Sequence, residues 1–188
     1  MKKIVFIFGL PGAGKTDFIN DIVNNTNNIR ETFNISNDLK VCDDIRLHGS
    51  SIDTFADRTN RYEAIKEDID ELLESDDEVL LIFGHMHDLE ESENAIIKRI
   101  VANYPCLEKD IYLLDIPDHN LLYERLINTD WFKSDIKNNQ ERFPKAWLDI
   151  ADDHLRKQVN KQKEYGFNII EVDATDGFVI REENIKTK

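Results

Sequence analysis

Residues 9–16 read Gly-Leu-Pro-Gly-Ala-Gly-Lys-Thr, directly after the apolar run Ile4-Val5-Phe6-Ile7-Phe8. A Gly-x-x-x-x-Gly-Lys-Thr stretch between a buried strand and a helix is a loop that wraps a phosphate chain. Gly9, Gly12 and Gly14 let the backbone curl and turn its N–H groups inward, with Leu10, Pro11 and Ala13 between them completing the turn. The helix that follows adds the positive end of its dipole. Lys15 supplies a point charge to the terminal phosphates, and the Thr16 hydroxyl is a candidate magnesium ligand. The bland alternative is a glycine-rich strand-to-helix turn. The full eight-residue match in this context weighs against it.

The rest of the chain fits the same design. Residues 16–25 have helical spacing, with Phe18, Ile19, Ile22 and Val23 on one side. Short apolar runs at 38–42, 78–83, 110–116 and 167–172 read as further strands. Helical patterns fill 52–73, 89–102, 118–127 and 145–165, with Asp118 placed to cap one start and Gly166 to end the last. Strands alternating with helices predict an α/β, three-layer fold: a five-stranded parallel sheet with helices on both faces. No repeat, Pro/Ser-rich linker or composition shift marks a second domain, so residues 1–188 read as one domain. Residues 128–144, polar and weakly patterned, read as a mobile lid.

Composition limits the partners. The net charge is −14, which repels a phosphate backbone on average and disfavours extended nucleic-acid binding, although a pocket for one nucleotide or one 5′ end stays open. Cys42 and Cys106 give neither a disulfide framework nor metal-ligand spacing; two reduced thiols suit the cytoplasm. The seven-residue apolar run near the N-terminus reads as a buried strand rather than a leader, and no segment approaches the ~20 apolar residues of a membrane span.

The loop alone does not choose a function. A motor ATPase is expected to carry an Asp-Glu pair at the end of a buried strand, whereas the run 79–83 continues into Gly84-His85-Met86-His87. An Asn-Lys-x-Asp stretch for guanine is absent as well. A small kinase needs less: an acceptor pocket and a lid bearing arginines. Arg125 enters the polar segment and Arg142 leaves it, with Lys133 and Lys137 between them. Lid arginines can stabilise charge on a transferring phosphoryl group, and each of these two could equally be a surface arginine.

With the glycine loop, the strand count and this basic segment, the chain resembles the small P-loop kinases related to nucleoside-monophosphate kinases. Cys42-Asp43-Asp44-Ile45-Arg46, after a short second strand, looks like the Asp-Asp-x-Arg stretch of the polynucleotide 5′-kinase and zeta-toxin-like group. That resemblance implies Asp43 as general base on an acceptor hydroxyl and Arg46 as a contact to an acceptor phosphate; the two acids could instead be a helix cap or solvated loop residues. It also implies catalytic roles for Lys15, Arg125 and Arg142. A second lid arginine of that group would fall on Thr129, so the match there is incomplete. The reading is an ATP- and Mg2+-dependent kinase with a nucleoside- or nucleotide-type acceptor. The alternatives are a nucleoside-monophosphate kinase and a nucleotide-binding module without transfer.

Several side chains stay open. Arg58 and Arg61 could bind an acceptor phosphate, but the solvated-face reading is favoured. His85 and His87 could touch the acceptor, and Asp88 could cap the next helix. Asp115 could be an outer-sphere magnesium ligand. Trp131 and Phe132 are a lid anchor or a stacking pair. The loop 173–177 lies where related kinases hold the adenine edge.

Overall fold

The computed structural model describes residues 2–42, 55–90 and 95–181, and the side chains of 55–59 lie outside that description. Strand β1 (Lys3–Gly9) is buried along almost its whole length, as its unbroken apolar run requires. It pairs in parallel with β3 (Val79–Phe83) on one side and β4 (Glu108–Asp115) on the other. β2 (Leu39–Val41) joins β3 in parallel, and β5 (Asn168–Asp173) joins β4 in the same way. A sixth strand, β6 (Val179–Ile180), returns antiparallel against β5, giving the order β2-β3-β1-β4-β5-β6.

The expected count of five is therefore corrected to six. The added strand has two residues and is too short to carry a period. It follows Gly177, whose φ of 84° makes the reversal.

Helices α1 (Lys15–Asn24), α2 (Ile29–Thr32), α3 (Phe55–Glu74), α4 (Ile96–Asn103), α5 (His119–Asn128), α6 (Asp130–Ser134), α7 (Ile136–Arg142) and α8 (Lys145–Lys161) make up the other layers. The core runs through the central strands to Phe18 and Ile22 of α1, Ile65, Ile69 and Leu72 of α3, Ile97 and Ile100 of α4, and Leu148, Leu155 and Val159 of α8.

The caps follow the sequence. The Asp118 carboxylate accepts from the backbone N–H groups of Asn120 and Leu121 at the start of α5, which holds its pKa below the usual range. A 3₁₀ turn, Gln162–Tyr165, follows α8 and ends at Gly166 with φ 82°. Two expectations shift. The helix expected at 89–102 is a 3₁₀ turn, Met86–Leu89, followed by the shorter α4. The polar segment 128–144 holds α6 and α7, which are fixed by aromatic contacts rather than by an apolar stripe. Phe132 is fully buried, and the Trp131 ring packs against Phe132 and against Phe143, which in turn meets Trp147. No helix among the described residues is long and apolar enough to cross a membrane.

Candidate nucleotide site

In open α/β sheets, ligands bind where the strand order reverses, beyond the carboxyl ends of the strands. Here β1 lies between β3 and β4; the chain leaves β1 for β2 on one side and later crosses from β3 past β1 to β4 on the other, so the order reverses beside the carboxyl end of β1. The glycine loop begins at that point. Gly12 and Gly14 have φ of 86° and 84°, a region that costs an L-residue about 1–2 kcal/mol. Gly12 is also close-packed: a Cβ there would stand 2.9 Å from the Leu126 backbone N and 3.2 Å from the Leu122 carbonyl. A Cβ on Gly9 would lie 2.9 Å from the Leu114 carbonyl. The loop is thus a backbone cradle wedged between β4 and α5. Gly12→Ala is expected to distort it and to weaken donor-nucleotide binding at least about tenfold, read with a fluorescent ATP analogue. Wild-type affinity in that variant would contradict the geometry.

Lys15 opens α1, and its ammonium donates to the carbonyls of Gly9 (2.7 Å) and Leu10 (3.2 Å), lying across the mouth of the loop. It stands 5.2 Å from the centre of the Phe83 ring. Enclosure there pulls its pKa down to about 8 from the ordinary 10.5. Thr16 is exposed in the first turn of α1. The positive-φ glycines, the helix start and the lysine suit a triphosphate, and the exposed Thr16 hydroxyl suits a magnesium ion held against it.

Arg125 reaches from α5 to the loop after β5. It donates to the carbonyl of Ala174 (2.8 Å) and to that of Thr175. The same loop is tightened by Asp173, which accepts from the Thr175 N–H at 2.9 Å. Hydrogen bonds from the Thr175 side chain and then from its N–H, with the Arg181 guanidinium, hold Asp173 below the usual carboxylate range. Phe178 then packs on Phe18 of α1, with ring centres 4.8 Å apart. It also lies beside Gly14, where an added Cβ would be 3.7 Å from the ring. The expected adenine-edge loop is therefore held against the cradle, and Arg125 holds it there. Arg142 is exposed at the end of α7, over the Phe143 ring at 5.2 Å. The two arginines of the expected lid thus have different surroundings.

Three sequence expectations change. Asp115 is buried with both oxygens engaged, one by Arg156 at 2.6 Å and the other by Arg181, so it is not open to magnesium. Asp88 caps backwards rather than forwards: its Oδ2 accepts from the His85 N–H at 2.8 Å. Arg61, read as solvated, is fully buried and grips Asp88 through Nε (3.1 Å) and Nη2 (2.8 Å). The spacing contained that signal, since Arg61 stands four residues before the buried Ile65 and eight before Ile69. His87 pairs with Glu90 at 2.7 Å. The acceptor candidates Asp43 and Arg46, with Asp44, lie outside the described residues, as does the Arg58 side chain.

The family described as an AAA domain matches residues 5–144, from β1 through α7. No curated protein matches the chain. Among solved structures, the fold is similar to a chain of the PezAT chromosomal toxin–antitoxin system of the human pathogen Streptococcus pneumoniae. The TM-score is 0.52 at 19% identity, covering 95% of this chain and 71% of that one. It is also similar to thymidylate kinase from Ehrlichia chaffeensis, with a TM-score of 0.43 at 11% identity, covering 90% of this chain and 88% of that one.

Proposed function

The chain belongs to the P-loop family described as an AAA domain and has a small nucleoside-monophosphate-kinase-like fold, and from that premise we propose that it is an ATP-dependent phosphotransferase acting on a nucleoside- or nucleotide-type acceptor through a hydroxyl. The observation that carries this reading is the loop 9–16, with its two positive-φ glycines and Lys15 across its mouth, at the sheet's reversal point. A motor is less well supported. β3 ends in Phe83 and the close-packed Gly84, where an added Cβ would fall 2.6 Å from the Phe8 ring, so no acid pair stands at that position.

In the proposed step, an acceptor hydroxyl oxygen bonds to the γ-phosphorus as the bond from that phosphorus to the β,γ-bridging oxygen breaks. The bond's electron pair leaves with ADP, and the hydroxyl proton passes to a carboxylate, for which the resemblance nominates Asp43. Lys15 and the loop N–H groups hold the phosphates, Thr16 would ligate magnesium, and Arg46 would contact the acceptor. A bound magnesium ion would neutralise charge shared by the terminal phosphates. Arg142, on the exposed end of the lid, is the better placed of the two lid arginines to reach the transferring group when 128–144 closes and excludes water. The setting proposed for this reaction is the cytoplasm.

Label transfer from γ-labelled ATP to a panel of nucleosides, monophosphates, nucleotide sugars and a 5′-hydroxyl oligonucleotide tests the reading. Transfer to none of them would refute it. A second reading, a nucleotide-binding module without transfer, is favoured by the engagement of Arg125 with two loop carbonyls rather than with the cradle. Such a module would melt higher with ATP and release no ADP.

Arg125→Ala separates the two roles proposed for that arginine. A loop-holding residue gives KM for ATP raised about tenfold with kcat within about threefold. A loss concentrated in kcat would instead place the guanidinium on the transferring phosphoryl group.

A further inference from the structure

The carboxyl end of β3 carries groups that the phosphate cradle does not use. The Phe83 ring lies beside the Lys15 ammonium. The His85 ring packs on the same Phe83 ring, with ring centres 5.2 Å apart. His85 is therefore one aromatic ring away from the lysine that would hold the terminal phosphates. It lies on the β2/β3 side, where the chain leaves β2 and comes back as α3.

The backbone around His85 is held from below. Arg61 of α3 donates through Nη2 to the Phe83 carbonyl at 2.6 Å, as well as to Asp88. Asp88 in turn accepts from the His85 N–H. The Arg61 and Asp88 side chains are each 1% exposed. An ion pair buried this completely, with bidentate geometry, fixes its surroundings far more firmly than a surface pair does. The His85 ring itself is half-buried. A rigid, fully covered pair thus carries a single polar ring at an edge of the site.

We propose that His85 contacts the phosphate acceptor, its imidazole hydrogen-bonding an uncharged hydroxyl-bearing part of that molecule beside Lys15. This rests on the kinase reading and deepens it: it names a side chain that meets the hydroxyl-bearing part of the acceptor. Burial, reinforced by the positive charge of Arg61 and partly offset by Asp88, holds the imidazole down to about 4. Lys15 and His87 act in the same direction as Arg61. The ring is accordingly neutral at pH 7: one nitrogen accepts from the Asp88 N–H, and the other carries the proton and donates, which suits a hydroxyl oxygen and offers no charge to a phosphate. Arg61, turned into the Asp88 pair, serves as a positioning residue. The transferred proton goes to a carboxylate, not to His85.

The test scores label transfer to the acceptor panel for wild type, His85→Ala, His85→Asn and His85→Gln, with binding of a fluorescent ATP analogue measured in parallel. The expected result is transfer to a hydroxyl acceptor that falls at least tenfold in His85→Ala through acceptor KM. One of the two amide variants should recover it to within about threefold, with ATP-analogue binding unchanged throughout. Wild-type transfer rates in His85→Ala would overturn the inference. So would an equal loss of ATP-analogue binding, or a wild-type chain that phosphorylates only the phosphate of monophosphates. Phosphoryl transfer itself survives each of these three outcomes, although the third also removes the hydroxyl acceptor from the proposed function. A wild-type chain that transfers to nothing refutes the kinase reading, and the inference with it.

Discussion

Lys15→Ala is expected to leave a folded chain whose phosphoryl transfer is lower by about 10²–10³-fold or more, the usual effect of deleting one group aimed at developing charge. The stem of Lys15 is not part of the hydrophobic core, and among the described residues its ammonium meets two carbonyls of its own loop and the Phe83 ring. Its removal should therefore cost the fold little. Unchanged turnover in the variant would sink the assignment of the loop.

The depressed pKa of Lys15 adds a pH signature. The free folded chain releases this proton near pH 8, while an unfolded chain keeps it until about 10.5. Between those values the unfolded state binds more protons, so the lysine's share of stability rises with pH across the window and is flat outside it. Below pH 8 both states are protonated and the full cost of enclosing the charge is present. Lys15→Met should abolish that rise, as read in urea midpoints from pH 7 to 10.

Donor binding runs the other way. A triphosphate favours the charged ammonium, so above pH 8 binding must take up a proton, and affinity should fall roughly tenfold per pH unit. Titration of the wild type with an ATP analogue at pH 7 and pH 9.5 would show that fall, and Lys15→Ala would lack it. A wild-type affinity independent of pH would mean that the lysine is charged in the free chain as well.

How much of this the sequence holds depends on the range of the interaction. The cradle is local: strand, glycines, lysine and helix follow one another without a break from Lys3 to Asn24, and each glycine's role follows from backbone sterics alone. The central strands β1, β3 and β4 were legible because burial on both faces leaves long apolar runs. β6 was not, since two residues carry no period and its pairing depends on Arg181 reaching Asp115 and Asp173 across the sheet. Asp115 shows the same limit. At a strand's carboxyl end an acid can ligate metal or meet an arginine, and the choice was made by Arg156, forty-one positions later. The helices of segment 128–144 are organised by Trp131, Phe132, Phe143 and Trp147, four rings spread over a polar stretch. Rings meeting at sequence separations of one, twelve and four residues leave no helical stripe to read.

Arg61 and Asp88 provide the sharpest contrast between the two levels, and breaking their pair is expected to give the largest loss of stability. A solvated-face arginine on α3 would tolerate Arg61→Met with a change within about 0.5 kcal/mol. The structure instead puts both side chains in the interior, with Arg61 spanning Asp88 and the Phe83 carbonyl. Removing one partner leaves the other's charge buried without its counter-ion, which typically costs about 3–5 kcal/mol. Asp88→Ala and Arg61→Met should each lower stability by that amount in urea unfolding. The double variant Arg61→Met/Asp88→Leu should cost clearly less than the sum of the singles, because no uncompensated charge remains and apolar volume replaces the pair. The Phe83 carbonyl and the His85 N–H lose their partners in the double variant, so it should not return fully to wild type. Single losses below about 1 kcal/mol would place Arg61 back in solvent. Singles that simply add would mean that the two charges do not see each other, and the rigid support argued for His85 would then be lost.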